Sequence, residues 1–283
     1  MTNGTRNSTW VLSGFADEID PNPVVQLAVL QALGAAHVEV RAAWDTNVLD
    51  LTDDQLTRLS GLIVQRGMAV SAIASPVGKV DVSVPLDDEV ARLATAIRAA
   101  HRLGSRYVRI FSFYRRDGLA AAEVRDAVLT RMRAFADLAQ KAGVVLLHEN
   151  EKGIYGDTPE RALDIIESVG SDALRVAWDS ANFVQVGVKP FTEGYALLRP
   201  HLEYLHVKDA IAATGEVVPV GAGDGELLET FTALRDDGYC GFMSLEPHLG
   251  ATNARGAFSG PASFGQAARA LRDLTTKIGM VTT

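Results

Sequence analysis

Residues 144–179 read VVLLHENEKGIYGDTPERALDIIESVGSDALRVAWD. Two apolar runs in this stretch, VVLLHE from Val144 and LRVAWD from Leu174, have the length and composition of buried β-strands. The amphipathic segment between them, from Pro159 to Val169, predicts a helix. A strand, a helix and a second strand in this order predict parallel strands joined by a crossover helix. Both strands end in a carboxylate, Glu149 or Asp179.

The same alternation extends over the rest of the chain. Short apolar and β-branched runs predict six further strands, which begin at Trp10, His37, Met68, Tyr107, Leu202 and Gly241. Amphipathic segments predict further helices at residues 21–33, 53–66, 87–101, 119–141, 227–236 and 262–277. Eight such units predict a single (β/α)₈ TIM barrel over residues 1–283, with a core of about residues 10–277. An open doubly wound sheet is the alternative, but no GxGxxG motif follows the first strand.

Composition argues against several classes of protein. The formal net charge is −8, whereas a nucleic-acid interface usually needs clustered Lys and Arg, so no nucleic-acid partner is expected. Cys240 is the only cysteine; no intrachain disulfide can form, and we expect this side chain to be a small buried hydrophobe. The N-terminal residues lack the apolar core of a signal peptide, and no apolar run reaches the length of about 18 residues that suggests a membrane span. We expect a cytoplasmic protein.

Polar residues end four consecutive predicted strands. These residues are Glu149, Asp179, His206 and Glu246, spaced 30, 27 and 40 residues apart, close to one β/α unit each. Because the carboxyl ends of barrel strands meet in one mouth, we expect the four side chains to converge. Helix capping or an ion pair would explain any one of them, but the shared position favours a site. Three carboxylates and an imidazole form a hard ligand set that suits Mn²⁺ or Mg²⁺ and tolerates Co²⁺ or Zn²⁺. One divalent ion, with Mn²⁺ as the expected metal, is therefore predicted.

The chain resembles the sugar phosphate isomerase/epimerase family of xylose isomerase-like TIM barrels, from Gly14 to the last predicted helix. The segments that carry the resemblance are Glu149-Asn150, WDSANF around Asp179, HVKD from His206, VGAGDG from Val220 and GYCGFMSLEP from Gly238. The resemblance implies an enzyme of carbohydrate metabolism. It also implies that the four strand-end residues hold the metal and that the two glutamates move protons.

These residues predict a metal-dependent isomerase or epimerase. A divalent ion would polarise a substrate carbonyl and stabilise the enediolate that forms when a base removes the neighbouring C–H proton. Glu149 and Glu246 are predicted as the acid/base pair, one removing the proton and the other returning it. Lys208 shares the strand parity of His206, so its ammonium group is predicted to face the mouth and stabilise developing negative charge. Asp209 or solvent is the alternative partner of Lys208.

Further residues are candidates for catalysis or substrate binding. His148 precedes Glu149, so a regular strand turns it away from the mouth, whereas a bulge at the strand end would bring it in as a catalytic group. Arg109 is predicted to bind a substrate oxygen or phosphate, or to form a salt bridge with Glu39 or Glu149. The predicted substrate-binding residues, namely a cation, a rim histidine and two apolar walls, are Arg109, His248, Trp44 and Phe15.

Alternative functions remain open on the sequence. Many relatives carry histidines where this chain has Asn182 and Glu151, and the pair His148-Glu149 with EKGIYG also resembles catalytic subunits of lyases that cleave C-glycosidic bonds of 3-oxo-glycosides. Such a lyase would act with a small partner subunit. An endonuclease IV-like DNA repair enzyme needs more histidines at the mouth, and a noncatalytic sugar-binding barrel needs no metal ligands. We expect a small sugar or sugar derivative as the ligand, and a homo-oligomer as a further expectation.

Overall fold

A computed structural model of the chain describes residues 9–115, 118–250, 252–253, 256–257 and 259–282. At its centre is a sheet of eight parallel strands: β1 (Val11–Gly14), β2 (His37–Val40), β3 (Ala69–Ile73), β4 (Tyr107–Ile110), β5 (Val145–Glu149), β6 (Leu174–Asp179), β7 (Leu202–Val207) and β8 (Phe242–Leu245). Neighbouring strands pair in sequence order, and β8 pairs with β1. A parallel bridge between Phe15 and Glu39 joins the ends of β1 and β2 and closes the barrel.

Helices alternate with the strands. They are α1 (Pro23–Ala32), α2 (Asp53–Gln65), α3 (Leu86–Leu103), α4 (Ala121–Ala142), α5 (Pro159–Val169), α6 (Ser180–Val184), α7 (Ala196–Leu198), α8 (Leu227–Asp236) and α9 (Gly260–Lys277). The predicted strands and helices are all found, and the TIM barrel is confirmed. The sixth unit differs from expectation, because residues 182–190, expected as a loop, begin inside α6 and lead into the π-helix Pro190–Tyr195.

Local sequence explains where several helices begin and end. Thr52 and Gln55 form a capping box at the start of α2: the Gln55 N–H donates to Thr52 Oγ1 (3.2 Å) and the Thr52 N–H donates to Gln55 Oε1 (2.9 Å). Gly104 and Gly143 end α3 and α4 with φ angles of 72° and 71°. This left-handed conformation is easy for glycine and stops the helix shortly before the next strand.

The two faces of the sheet have different surroundings. Apolar side chains between the strands and the helices form one large buried core. Contacts between strands that are not neighbours cross the barrel interior, and one of these joins the buried hydroxyls of Ser13 on β1 and Ser71 on β3, 2.6 Å apart. Glu39 and Tyr204 are also fully buried, at 1% and 0% exposure. Buried polar groups are costly unless they are paired or functional, so the polar interior directs attention to the barrel mouth.

Short hairpins extend the chain beyond the strand ends. The paired segments are residues 42–43 with 46–47, 209–210 with 217–218, and 252–253 with 256–257. Cys240 is exposed, so the expectation of a buried cysteine is wrong; the side chain lies just before β8, outside the core. Among the described residues, no helix combines the length and the apolar character needed to cross a membrane.

Candidate metal centre

The carboxyl ends of β5 to β8 bring the four predicted metal ligands together. Glu149 and Asp179 are the last residues of β5 and β6, His206 is the penultimate residue of β7, and Glu246 directly follows β8. One ligand atom of each residue lies within 4.8 Å of the others, and all four residues are buried. We call these four residues the acidic cluster. Their positions in the sequence correctly predict that the side chains meet.

Three members of the acidic cluster present a buried polar atom that has no hydrogen-bond partner among the described residues. These atoms are Glu149 Oε2, Asp179 Oδ2 and His206 Nδ1. An ion-pair partner lies 2.9–3.4 Å from each of these atoms, but without the geometry of a hydrogen bond, so each atom can still serve a ligand. Carboxylate oxygens and an imidazole nitrogen are suitable ligands for Mn²⁺ and Mg²⁺. The donor set, with three atoms that make no hydrogen bond within the described residues, therefore fits a divalent metal ion.

Two asparagines orient the carboxylates of the cluster. The Asn182 backbone N–H donates to Asp179 Oδ1 (2.9 Å), so that Asp179 caps α6, and Asn182 Nδ2 donates to Glu149 Oε1 (3.2 Å). Asn150 holds the backbone of Asp179 by accepting from its N–H (3.0 Å) and donating to its carbonyl oxygen (2.9 Å). Glu149 and Asp179 thus each have one carboxylate oxygen fixed by a hydrogen bond. The other oxygen lies in an ion pair: Glu149 Oε2 with Arg109 Nη1 (3.1 Å) and Asp179 Oδ2 with Lys208 Nζ (2.9 Å).

Lys208 reaches into the acidic cluster. Its Nζ lies 3.1 Å from Glu246 Oε2, to which it donates a hydrogen bond, and 2.9 Å from Asp179 Oδ2, in an ion pair that lacks hydrogen-bond geometry. Burial lowers the pKa of Lys208, but the negative charges of Asp179 and Glu246 outweigh burial and raise this pKa well above its usual value. The ammonium group therefore stays charged. Asp209 points elsewhere and accepts backbone N–H groups instead.

Two arginines also contact the carboxylates. Arg109 Nη1 lies 3.1 Å from Glu149 Oε2 and 3.9 Å from Glu246 Oε1, so its salt-bridge partner is Glu149 and not Glu39. Arg41, which the sequence did not single out, places Nη1 3.1 Å from Glu246 Oε1. Two guanidinium groups therefore lie within ion-pair distance of the same oxygen, Glu246 Oε1.

Negative charge exceeds positive charge at the mouth. In the ion-pair network around the acidic cluster, the described residues include three cationic side chains and six carboxylates: Arg41, Arg109 and Lys208 against Asp17, Glu18, Glu39, Glu149, Asp179 and Glu246. Two like charges about 4 Å apart repel by about 4 kcal/mol at an effective dielectric constant of about 20. Two histidines add at most partial compensation. A bound cation would relieve the remaining repulsion.

Glu149 and His206 form a strongly polarised pair. Burial raises the pKa of Glu149, but His206 and Arg109 outweigh burial and lower it to about 2. Burial lowers the pKa of His206, but Glu39 and Glu149 outweigh burial and raise it to about 10. A metal ion that takes Nδ1 of His206 must therefore displace a proton from the metal-free centre.

A polar cavity adjoins the acidic cluster. Its volume is ≈ 450 Å³, within the usual range for small-molecule sites, and its walls include Asn182, Lys208 and His248. His248 is 24% exposed in its side chain, and its Nε2 lies 3.3 Å from Glu246 Oε1 and 3.3 Å from Glu18 Oε1. The structure thus places His248 at the rim, where the sequence predicts it, and between two buried carboxylates.

Phe15 and Trp44, the predicted apolar walls, lie in different places. Phe15 is fully buried beside the cluster, edge-to-face with His206 at 5.0 Å between ring centroids. The guanidinium carbons of Arg41 and Arg109 lie 5.0 and 5.3 Å from the Phe15 ring centroid. Trp44 lies in the turn of the hairpin after β2, with the guanidinium of Arg58 on α2 5.2 Å from its ring. Phe15 therefore packs under the site residues, whereas Trp44 packs against a helix.

The structure does not bring His148 into the acidic cluster. β5 keeps a regular register through Glu149, so the bulge that would turn His148 inward is absent. Its ring packs against Gly156, where an added Cβ would lie 2.5 Å from His148 Cε1 and 2.9 Å from Ile165 Cδ1 on α5. The side chain is fully buried, and neither ring nitrogen has a hydrogen-bond partner among the described residues. This geometry does not support a catalytic role for His148.

The burial of His148 predicts a component of acid sensitivity. Burial lowers the pKa of His148 to about 4, with Glu149 opposing the shift. Because the unfolded chain takes up this proton near pH 6.5 and the folded chain near pH 4, stability should fall as pH decreases through this window, by about 3 kcal/mol in total. We expect His148→Leu to lose this component. Urea unfolding at pH 7.5 and 4.5 compares the two proteins, and equal losses of unfolding free energy would contradict the prediction.

Comparison with known proteins places this geometry in a family. Residues 27–274 match the family model described as xylose isomerase-like TIM barrel. Over 143 residues the chain is 33% identical to a 2-epi-5-epi-valiolone 7-phosphate 2-epimerase from Actinoplanes sp.. The matched region covers 50% of this chain and 51% of that protein. The chain thus spans about half the length of the curated relatives that it matches.

Solved structures support the same fold. A D-tagatose 3-epimerase-like protein has a TM-score of 0.78 at 16% identity, with coverage of 95% of this chain and 98% of that chain. A xylose isomerase-like TIM barrel protein from Mycobacterium smegmatis, in complex with magnesium, has a TM-score of 0.71 at 18% identity, with coverage of 98% and 100%. With the barrel, its mouth and the match over most of the chain, this protein belongs to the xylose isomerase-like TIM barrel family.

Proposed function

We propose that this chain is a divalent-metal-dependent epimerase or isomerase that moves a proton next to the carbonyl group of a sugar or sugar-like substrate. The observation that carries the proposal is the acidic cluster: four buried ligand residues at the mouth of the barrel, three of them with a polar atom that makes no hydrogen bond within the described residues. The oxygen-rich set favours Mn²⁺ or Mg²⁺ over softer metals. A 2-epimerase among the relatives supports the same reaction class.

The two glutamates would carry the proton. Glu149 is the last residue of β5 and Glu246 follows β8, so the two carboxylates enter the acidic cluster from different strands. The carboxylate of one would take the C–H proton next to the carbonyl while the electron pair moves to the carbonyl oxygen, and the other would return a proton to carbon. Return to the opposite face of the same carbon gives an epimer. Return to the former carbonyl carbon, together with transfer of the neighbouring hydroxyl proton to the original carbonyl oxygen, gives an isomer. A bound divalent ion would supply the Lewis acidity that polarises the carbonyl.

Cationic side chains would stabilise and orient the charges. Lys208 is buried, charged and part of the cavity wall, so its ammonium group can donate to a substrate oxygen that gains negative charge. Arg109 holds Glu149, and Arg41 holds Glu246, each at 3.1 Å. These contacts would keep the glutamate that accepts the C–H proton ionised, while the other glutamate must hold a proton before it can return one to carbon. His248 at the rim is proposed to bind a substrate hydroxyl.

The cavity suits a small polyhydroxylated substrate. Its walls carry amide, ammonium, carboxylate and imidazole groups from Asn182, Gln185, Lys208, Glu216 and His248. Hydroxyl groups can both donate to and accept from such a mixed set. A monosaccharide or a cyclitol is therefore the proposed substrate class. The lyase reading of His148-Glu149 receives less support, since His148 packs against Gly156 rather than facing this cavity.

The proposal is tested by metal content and proton exchange. The protein is purified without chelator, its bound metal is measured, and it is incubated in D₂O with ketohexoses and cyclitol ketones, with and without added Mn²⁺. We expect about one divalent ion per chain and metal-dependent deuterium uptake next to the carbonyl. A protein that binds sugar but neither metal nor deuterium would overturn the proposal and favour a noncatalytic sugar-binding barrel. Elimination products from 3-oxo-glycosides would favour the lyase.

Replacing Lys208 with methionine is expected to change metal binding and turnover in opposite directions. The ammonium group occupies two carboxylates that the metal would share, so its removal should tighten Mn²⁺ binding about tenfold, which is about 1.4 kcal/mol. Loss of a donor to the developing oxyanion should slow the reaction about 10²-fold at saturating metal. Mn²⁺ titration and exchange rates measure the two effects. Unchanged metal affinity together with an unchanged rate would show that Lys208 neither competes with the metal nor stabilises the developing oxyanion.

A further inference from the structure

A chain of buried hydrogen bonds runs from His206 into the barrel interior. His206 Nε2 lies 3.2 Å from Glu39 Oε1, and Tyr204 Oη donates to Glu39 Oε2 at 2.9 Å. Tyr204 Oη is also 2.8 Å from Ser71 Oγ, which lies 2.6 Å from Ser13 Oγ. All five residues are at most 1% exposed. They come from β1, β2, β3 and β7, so only the closed barrel assembles them.

The chemistry of these groups fixes the direction of the hydrogen bonds around Glu39. A carboxylate can only accept hydrogen bonds, so His206 must donate through Nε2–H and Tyr204 must donate its single hydroxyl proton. Ser71 is then the donor to Tyr204, because that hydroxyl has no second proton to give. Donors therefore reach both oxygens of Glu39, and its side chain has one well-determined orientation.

The orientation of Glu39 decides which nitrogen of His206 faces the acidic cluster. With Nε2–H held by Glu39 Oε1, the other nitrogen, Nδ1, lies 3.4 Å from Glu149 Oε1 and has no hydrogen-bond partner among the described residues. Histidine ligands of metals commonly donate their second N–H to a carboxylate, which fixes the ring and its tautomer. Phe15, edge-to-face at 5.0 Å, packs against the same imidazole.

We propose that Glu39 is a positioning residue that holds His206 with Nε2–H directed away from the acidic cluster and Nδ1 available as the ligand atom, and that Tyr204 keeps Glu39 in place. This inference rests on the metal centre of the proposed function. It assigns Glu39 no contact with substrate. Glu39 acts on the metal centre through His206. Replacing Glu39 should therefore reduce the free energy of metal binding more than the free energy of unfolding.

The test compares metal affinity and the His206 N–H proton in wild type and variants. Glu39→Met removes the acceptor at nearly constant length, and we expect it to weaken Zn²⁺ and Mn²⁺ binding about 10–100-fold. Tyr204→Phe frees one oxygen of Glu39 and should weaken binding by a smaller factor. In the metal-free and Zn²⁺-loaded wild type, the His206 Nε2–H proton should exchange slowly in NMR spectra. In Glu39→Met this slow signal should disappear.

A matched control separates positioning from general destabilisation. Glu89, on α3, is also a buried glutamate, 1% exposed. It accepts a hydrogen bond from the Gly78 N–H (2.7 Å) and does not belong to the acidic cluster. Glu89→Gln should lower the urea midpoint and leave metal affinity unchanged. If Glu39→Met does not fold, Tyr204→Phe and Glu39→Gln carry the same comparison.

The outcomes distinguish this inference from the proposed function. A wild type that binds metal, together with folded Glu39 variants that bind it equally well and keep the slow N–H signal, overturns the role of Glu39 and leaves the metal centre standing. A wild type that binds no metal overturns the metal centre and, with it, Glu39 as a residue that positions a ligand. Weaker binding with loss of the slow signal supports the role.

Discussion

Glu246→Gln and Glu149→Gln are each expected to reduce epimerisation about 10³-fold at saturating metal, because a glutamine has nearly the shape of glutamate but cannot take up a proton, and positioned acid–base groups contribute about 10²–10⁴-fold. Both carboxylates are buried, at 3% and 2% exposure, so water has limited access to replace them as the base. The rate is measured as conversion between two epimers. Deuterium incorporation in D₂O follows the proton directly.

The two variants should differ in which epimer they still exchange. If each glutamate serves one face of the reacting carbon, Glu149→Gln keeps proton exchange from one epimer and loses it from the other, and Glu246→Gln shows the reverse preference. Loss of metal alone would reduce proton exchange from both epimers equally, and excess Mn²⁺ would restore that exchange. Glu89→Gln is the control, since it changes a buried glutamate away from the mouth. If both variants keep the wild-type rate, Glu149 and Glu246 do not transfer the proton.

Periodicity along the chain was sufficient to predict the barrel and the meeting of the acidic cluster. In a barrel of parallel strands, position along one β/α unit fixes where a strand-end side chain lies, so Glu149 and Asp179 could be placed without knowledge of any contact. Strand parity also correctly predicts that a regular strand turns His148 away. The register of β5 provides the reason, because no extra residue enters the ladder before Glu149.

Other residues of the centre depend on contacts that only barrel closure creates. Glu39 meets His206 although 167 positions separate them, and Arg41 meets Glu246 across 205 positions. Glu18 lies in a short 3₁₀ helix after β1 and reaches the backbone of His248. For Glu39 and Arg41 the signal in the sequence was the presence of charged residues in the run HVEVR, and the partner suggested there for Glu39, Arg109, is not the one that the structure shows. Local pattern identifies such a residue as unusual but does not name its partner.

The segment VGAGDG carried part of the family resemblance, and the structure gives it a physical role. Asp209 accepts three backbone N–H groups from this segment: Gly221 and Gly223 donate to Oδ2, and Gly225 donates to Oδ1, each at 2.9 Å. A Cβ at Gly223 or Gly225 would lie 2.5 or 2.6 Å from Asp209 Oδ1. Glycine is required there because the backbone approaches the carboxylate too closely for any side chain. Asp209 directly follows Lys208, so this loop also supports the cavity wall.

Asp209→Ala is expected to lower the free energy of unfolding by about 2–4 kcal/mol, because four N–H groups, those of Ala210, Gly221, Gly223 and Gly225, lose their acceptor and only part of the segment can turn to water. Gly223→Ala and Gly225→Ala should each cost about 1–3 kcal/mol, since the added methyl group must displace the carboxylate. Gly61→Ala is the matched control: Gly61 lies inside α2 with nothing within 4 Å of its added Cβ, so this change should stabilise the protein by up to about 1 kcal/mol. Urea unfolding measures all four variants. If Gly223→Ala and Gly61→Ala shift stability in the same direction, close packing of Gly223 against Asp209 and the Ala210 carbonyl oxygen is not the reason for glycine there; opposite signs support that packing.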